Sequence, residues 1–250
     1  MSIHKYTAID TRDGEMKAMD IEGAQQPPSA AGEKSHRYLI VFVGLVTVAV
    51  LSLFGSIFMG PGQATPLVAG EGAFDSNGRY VMKNFDVAKP MSDFLNGLGG
   101  VWGVPMWAFF INRGQAIASF GTQNKDGSIM KFNTAEKAYQ QAPFTGFRTF
   151  VKGHRAVGKH VAKTFQHQPF FPRTSYGASG LQRNLMIGEN EMEIEEVAQD
   201  LGLQTNVLYF TVPNEDYPSL VRRVTFTNLD PTEPLQLEVL DGLAKLEPAG

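Results

Sequence analysis

The densest concentration of groups suited to holding a ligand runs from Phe94 to Gly121, with the sequence FLNGLGGVWGVPMWAFFINRGQAIASFG. Trp102 and Trp107 are the only two tryptophans of the chain. Their flat faces and polar edges suit stacking against the apolar face of a sugar ring. Asn112, Arg113 and Gln115 add donors and acceptors at the hinge between two apolar runs. The planar Arg113 guanidinium is also able to grip an oxyanion through two parallel bonds. Gly97, Gly99, Gly100 and Gly103 let the backbone pass close to another surface. The same residues fit a plainer reading, with the tryptophans in the core and Arg113 a turn residue paired with an acid. On the first reading Trp102, Trp107, Asn112, Arg113 and Gln115 are the substrate-binding candidates.

Other chemistry is sparse. The chain has no G-x-S-x-G, H-E-x-x-H or P-loop motif, and no G-x-G-x-x-G set between strand and helix. With no cysteine it has no thiolate nucleophile, disulfide or thiolate metal site. Glycoside chemistry needs a pair of carboxyl groups, for which Asp86, Asp93, Asp126 and Asp241 are the candidates. Asp241, in Leu240-Asp241-Gly242, reads most simply as the turn ending the last strand. His4 and His36 lie in the N-terminal tail, and His154, His160 and His167 fall in one basic stretch that reads as surface loop. Their spacing puts them on no common helical face as metal ligands. Glu189 to Glu196 carries five acidic residues in alternation with Met192 and Ile194, which suits a solvated strand face better than a calcium site. No catalytic residue and no metal ligand is assigned.

The elements that position these groups read as strands. Asn77-Gly78 is a tight-turn pair before Arg79 to Phe85, and Met106 to Asn112 and Ala116 to Gly121 are apolar runs hinged at Arg113-Gly114. Lys125-Asp126-Gly127 turns the chain before Ile129 to Phe132. Thr145 to Lys152, Val207 to Val212 and Leu220 to Asn228 follow as strands, and Asp230-Pro231 makes another turn. Leu235, Leu237 and Val239 alternate with Gln236 and Glu238, the pattern of an antiparallel strand with one wet face. One short helix is expected, capped by Asn133 with Glu136 answering three residues on. Many short strands and turns predict a mainly β fold, a sandwich of antiparallel sheets. The 26 glycines and 14 prolines suit such a turn-rich fold.

Tyr38 to Met59 is uncharged for 22 residues, about 33 Å as a helix, enough for a hydrocarbon core of about 30 Å. It is longer than the apolar region of a signal peptide, about 7–15 residues. Lys34, His36 and Arg37 flank it on the N-terminal side, while Gly60 to Phe74 carries only Glu71. That asymmetry predicts a single-pass, type II signal-anchor with a luminal or extracellular outer domain. The expected organisation is a disordered cytoplasmic tail at 1–37, a transmembrane helix at 38–59, a stalk at 60–74 and a β-sandwich domain at 75–250. A formal charge of −3 supplies no basic field for nucleic acid.

Four blocks resemble the N-terminal region of bacterial and algal β-1,3-glucan phosphorylases, relatives of cellobiose phosphorylase. They are FLNGLGGVWGVPMW (Phe94 to Trp107), NRGQAIASFG (Asn112 to Gly121), FNTAEKAY (Phe132 to Tyr139) and GFRTFVK (Gly146 to Lys152). YFTVPNE (Tyr209 to Glu215), LVRRVTFTN (Leu220 to Asn228) and LEVLDGL (Leu237 to Leu243) are similar to the same region. The resemblance covers roughly residues 75–250 and implies an antiparallel β-supersandwich of the galactose-mutarotase type. It further implies phosphorolysis of β-glucosidic bonds with inversion, yielding glucose 1-phosphate. The implied partners are a β-glucan or oligosaccharide, inorganic phosphate and a second copy of the chain as a homodimer, and no cofactor is implied. In that family the general acid lies in a helical barrel that follows the sandwich. This chain ends at Glu247-Pro248-Ala249-Gly250 without one, so it is expected to be a portion of a larger enzyme, inactive alone. Only the loop around Arg113 and Gln115 carries over, as an expected approach to sugar or phosphate.

Overall fold

The computed structural model describes residues 4–10, 16–20, 72–95, 97–156, 162–172 and 181–248. The expected spanning helix at 38–59 and most of the stalk lie outside the described residues. Among the described residues no helix is long and apolar enough to cross a membrane.

The fold is mainly β and its sheets are antiparallel throughout, as the alternating sequence predicts. In chain order the strands are β1 (His4–Asp10), β2 (Met16–Asp20), β3 (Ala73–Phe74), β4 (Tyr80–Lys83), β5 (Ser92–Leu95), β6 (Met106–Ile111), β7 (Ile117–Thr122) and β8 (Ser128–Met130). Helix α1 (Ala135–Gln141) follows, then β9 (Gly146–Ala156), β10 (Ala162–His167), β11 (Leu181–Ile187), β12 (Glu191–Ala198), β13 (Leu203–Thr211), β14 (Leu220–Asn228) and β15 (Leu235–Lys245). They form a six-stranded sheet ordered β14-β13-β12-β11-β4-β3, a four-stranded sheet β5-β6-β7-β8 and a five-stranded sheet β10-β9-β15-β1-β2.

The six-stranded sheet is the common floor. Its inner face supplies Leu185, Met192, Ile194, Val207 and Tyr209, which pack on Ala108, Phe110, Ile117 and Phe120 of the four-stranded sheet. Farther along, Leu203 and Phe226 pack on Val151, Leu235, Leu237 and Val239 of the five-stranded sheet. The period-2 alternation decides which side chains meet there: Leu235, Leu237 and Val239 are buried, whereas Gln236 is exposed. On the outer face of the four-stranded sheet, α1 covers Phe109 and Ile111 through Ala135, Ala138, Tyr139 and Ala142.

Several expectations change. Within the expected tail, residues 4–10 and 16–20 pair as strands, with β1 beside β15 at the five-stranded sheet, Tyr6 opposite Val239 and Ala8 opposite Leu237. The end of the expected stalk forms β3, paired with β4. The short helix is capped by Thr134, which makes no side-chain cap bond. Asn133 instead donates to Gln141 Oε1 at 3.3 Å, tying one end of the helix to the other. His154 and His167 sit on β9 and β10 rather than in a loop, while His160 lies outside the described residues.

Candidate functional site

Trp102 sits at the tip of the loop 97–105, and the loop is held rigidly. Asn214 anchors it from the β13–β14 connection: its Oδ1 accepts from Val101 N–H at 3.0 Å and its N–H donates to Gly99 O at 2.8 Å. Val104 N–H reaches Glu215 O at 3.2 Å, and Leu98 N–H reaches Thr211 Oγ1 at 3.2 Å. Two glycines make this approach feasible. Gly100 has φ +72, and a Cβ at Gly103 would stand 2.0 Å from Gly99 O. The clamp leaves Trp102 85% exposed and Val101 80% exposed. An indole so displayed on a fixed loop has its whole face free for a ligand.

Trp107 belongs to another surface. It projects from β6 toward the outer face of the four-stranded sheet, among Phe94 at 6.2 Å and Phe132 at 6.1 Å between ring centroids. Its Nε1–H donates to Asn124 O at 2.9 Å, which fixes the ring plane. These rings border a cavity of about 310 Å³ completed by Gln123, Asn124 and Lys125, and Trp102 takes no part in it. The two tryptophans therefore serve different surfaces instead of one cleft.

Asn112, Arg113 and Gln115, the other candidates from the sequence, bond to groups within the protein. Asn112 is fully buried; its Nδ2 donates to Phe85 O and Lys89 O, both at 2.9 Å, and its Oδ1 accepts from Met91 N–H at 3.0 Å and from the Tyr139 hydroxyl. Burial pushes the Tyr139 hydroxyl pKa up, keeping it a donor. Arg113 donates to Asn112 O at 2.7 Å, Ala88 O at 2.9 Å and Phe85 O at 3.2 Å, and lies 5.5 Å from the Tyr139 ring centroid. Together they pin the segment 85–91 to the β6–β7 hairpin. The hinge between those strands turns through Gly114 at φ +57 and Ala116 at φ +64.

Gln115 enters a polar node that ties all three sheets together. Its Nε2 donates to Thr149 Oγ1 on β9 at 2.8 Å, and its Oε1 accepts from Arg222 Nη2 on β14 at 2.6 Å. Arg222 also grips both carboxylate oxygens of Asp241 on β15, with Nη2 to Oδ1 at 3.0 Å, and Thr149 donates to the same Oδ1 at 2.6 Å. The Tyr209 hydroxyl on β13 donates to Gln115 O at 2.9 Å, and burial pushes its pKa up to about 12. Asp241 is therefore inside β15 with a buried partner, not in a turn beyond it.

A second buried node joins β10, β11 and β12. Glu196 Oε2 accepts from Arg183 Nε at 2.6 Å and from Phe170 N–H at 2.9 Å, while Oε1 meets His167 Nε2 at 2.5 Å. Arg183 Nη1 continues to Asp86 Oδ2 at 2.8 Å and Phe171 O at 2.9 Å. Of the five acidic residues in that stretch, Glu193 and Glu195 lie on the wet face, held by Asn206 at 2.7 Å and Asn184 at 2.8 Å. Glu196 turns inward with Met192 and Ile194. Among the described residues no group of His, Asp and Glu side chains is arranged to hold a metal ion. Of the remaining carboxylate candidates, Asp93 is exposed on β5 and Asp126 pairs with Lys125 at 2.7 Å.

Against known proteins, no family model and no curated protein matches this chain.

Proposed function

We propose that residues 75–250 are the N-terminal, non-catalytic β-sandwich portion of an inverting β-glucan phosphorylase, a supersandwich of the galactose-mutarotase type. The motif resemblance suggests it, and the structural observation that supports it best is Trp102, held by Asn214 with its indole exposed. Inverting phosphorolysis needs an acid on the leaving oxygen while phosphate attacks the opposite face. The buried carboxylates Asp86 and Glu196 and the partly buried Asp241 are all engaged with arginines, so in this reading the acid comes from a helical domain encoded further along. Incubated with laminari-oligosaccharides and phosphate, the 250-residue chain is expected to release no glucose 1-phosphate. Joined to that helical domain, it is expected to release it. Glucose 1-phosphate from the unjoined chain would overturn the assignment.

A carbohydrate-binding module without catalysis is the second reading, which the exposure of Trp102 supports equally. Retention on insoluble β-glucan with no turnover in the joined protein would favour it.

The same proposal places the uncharged run at 38–59 across a membrane in type II orientation. A single crossing there separates residues 4–20 from residues 72–248, so it cannot coexist with β1 paired to β15. The anchored form therefore leaves the β15 edge free of β1. Because the chain has no cysteine, single Ser2→Cys and Ser76→Cys variants report each side cleanly in sealed vesicles. The anchor requires that a membrane-impermeant maleimide label only one of the two positions; equal labelling favours the paired hairpin.

A further inference from the structure

The aromatic cavity on the outer face of the four-stranded sheet is separate from the Trp102 loop. We infer that it is a second carbohydrate site, which takes a single neutral sugar ring between Phe94, Trp107 and Phe132 and the corner at Gln123 to Lys125. Its volume of about 310 Å³ stands at the small end of ligand pockets.

Three features narrow the ligand. First, the walls are aromatic and uncovered. Helix α1 packs over Phe109 and Ile111, but Phe94 and Phe132 remain 48% and 40% exposed, stacked on each other at 5.9 Å with planes 18° apart. Trp107 stands across Phe132 at 80°, so the cavity has faces at right angles. Second, the rim offers amides. Gln123 sits at φ +55, a backbone conformation unusual for its residue type. Its backbone N–H is held by Pro105 O at 3.1 Å. Its side-chain amide makes no hydrogen bond to the described residues, and so has a donor and an acceptor to offer. Third, the charge is balanced: Lys125 pairs with Asp126 at 2.7 Å. A cation would meet the Lys125 ammonium in the lining, and the charge of that ammonium is already answered by Asp126 beside the cavity. What remains is a neutral molecule with an apolar face for the rings and hydroxyls for the amides, which describes a pyranose. The inference shares only its ligand class with the phosphorylase reading and does not depend on any turnover.

The two-tryptophan composition gives a direct test. In Trp102→Phe the sole indole is Trp107, so its emission reports on this cavity alone and the exposed loop is silenced. The full chain, kept in a detergent without a sugar headgroup, is titrated with laminaritriose and with cellotriose. A saturable change in emission is expected with a dissociation constant in the range of about 1–10 mM, as for a single stacked ring. Adding Phe132→Ala is expected to weaken binding about fivefold or more, the loss of one ring contact. Gln123→Ala is expected to weaken it by a smaller factor. Should Phe132→Ala lose its far-ultraviolet spectrum, Phe132→Leu keeps apolar bulk and removes only the ring. Emission unmoved by both oligosaccharides at about 20 mM, or moved equally in the Phe132 and Gln123 variants, overturns the site. Binding here with no glucose 1-phosphate from the joined protein would sink the phosphorylase reading and leave this one standing.

Discussion

Arg222→Met is expected to lower stability by about 3–5 kcal/mol, the cost of removing one partner from a buried ion pair. The Arg222 side chain is only 8% exposed and Asp241 23%. The guanidinium lies 5.0 Å from the Phe147 ring centroid, its Nε donates to Tyr209 Oη at 3.3 Å, and Nη2 is shared among Asp241, Gln115 and Thr149. Met fills much of the volume and keeps the packing on Phe147, but among the described residues it leaves the Asp241 carboxylate with Thr149 as its one side-chain partner. Gln115 Oε1 also loses its donor. Since Gln115, Thr149, Asp241 and Arg222 come from all three sheets, the loss reaches the joint between layers and not one strand. Urea unfolding followed by far-ultraviolet circular dichroism reads the change as a shifted midpoint. Domains are commonly stable by about 5–15 kcal/mol, so the variant stays measurable or falls just short of folding. Thr149→Val, which removes one hydroxyl of the same node, gives a milder loss of about 1–3 kcal/mol and covers the second case. Arg222→Met with Asp241→Leu should recover part of the loss, because it removes the stranded carboxylate. A midpoint unchanged in Arg222→Met would show the node to be dispensable.

The node also shows what the sequence could and could not disclose. The strand β15 was legible because Leu235, Leu237 and Val239 alternate with polar residues, and they are buried as that alternation requires. Asp241 is the next residue in the same phase, so the strand continues through the turn that Leu240-Asp241-Gly242 suggests. Arg222 likewise falls in phase with Leu220, Val224 and Phe226, Thr149 lies between Phe147 and Val151, and Glu196 follows Met192 and Ile194. A polar or charged residue in phase with a buried face announces a buried hydrogen-bonded group, since a charge is taken out of water only with partners. That signal was present in each strand. The partners were not readable: Arg222 and Asp241 meet across different sheets, and no local pattern fixes which strands lie opposite each other.

The ligand-binding candidates failed to gather for a related reason. Asn112, Arg113 and Gln115 follow one another at a hinge, which suggests groups free to face a ligand. Their true neighbours are carbonyls of the segment 85–91 and side chains of β9 and β14. Glycine spacing was the better guide, because the requirement at Gly100 and Gly103 is steric and local. It anticipated the close approach of the loop 97–105 to another surface, although it did not identify Asn214 as the residue approached.

Glu196→Gln is expected to cost about 1–3 kcal/mol at pH 7, and this cost should shrink as the solution is acidified. Burial alone would raise the pKa of Glu196; the His167 hydrogen bond, the Arg183 charge and the Phe170 N–H outweigh it and hold the carboxyl below its ordinary value of 4.5. A carboxyl depressed on folding adds stability above its unfolded value, and that contribution disappears as pH falls through the folded value. Wild type should therefore lose this share below about pH 4.5, whereas an amide has no such share to lose. Gln remains able to fold into the site: Oε1 can accept from Arg183 and Phe170, while Nε2 donates to His167 once that ring carries its hydrogen on Nδ1. The residual cost falls partly on Phe170, whose backbone sits at φ +59, a conformation a bulky residue keeps only while its N–H is held. Urea midpoints of both proteins from pH 7 down to about pH 3 test the linkage, with convergence expected in the acid limb. A gap that stays constant across that range would mean that the carboxyl titrates alike in the folded and unfolded chains, so that the node's partners give Glu196 no preference for its charged form.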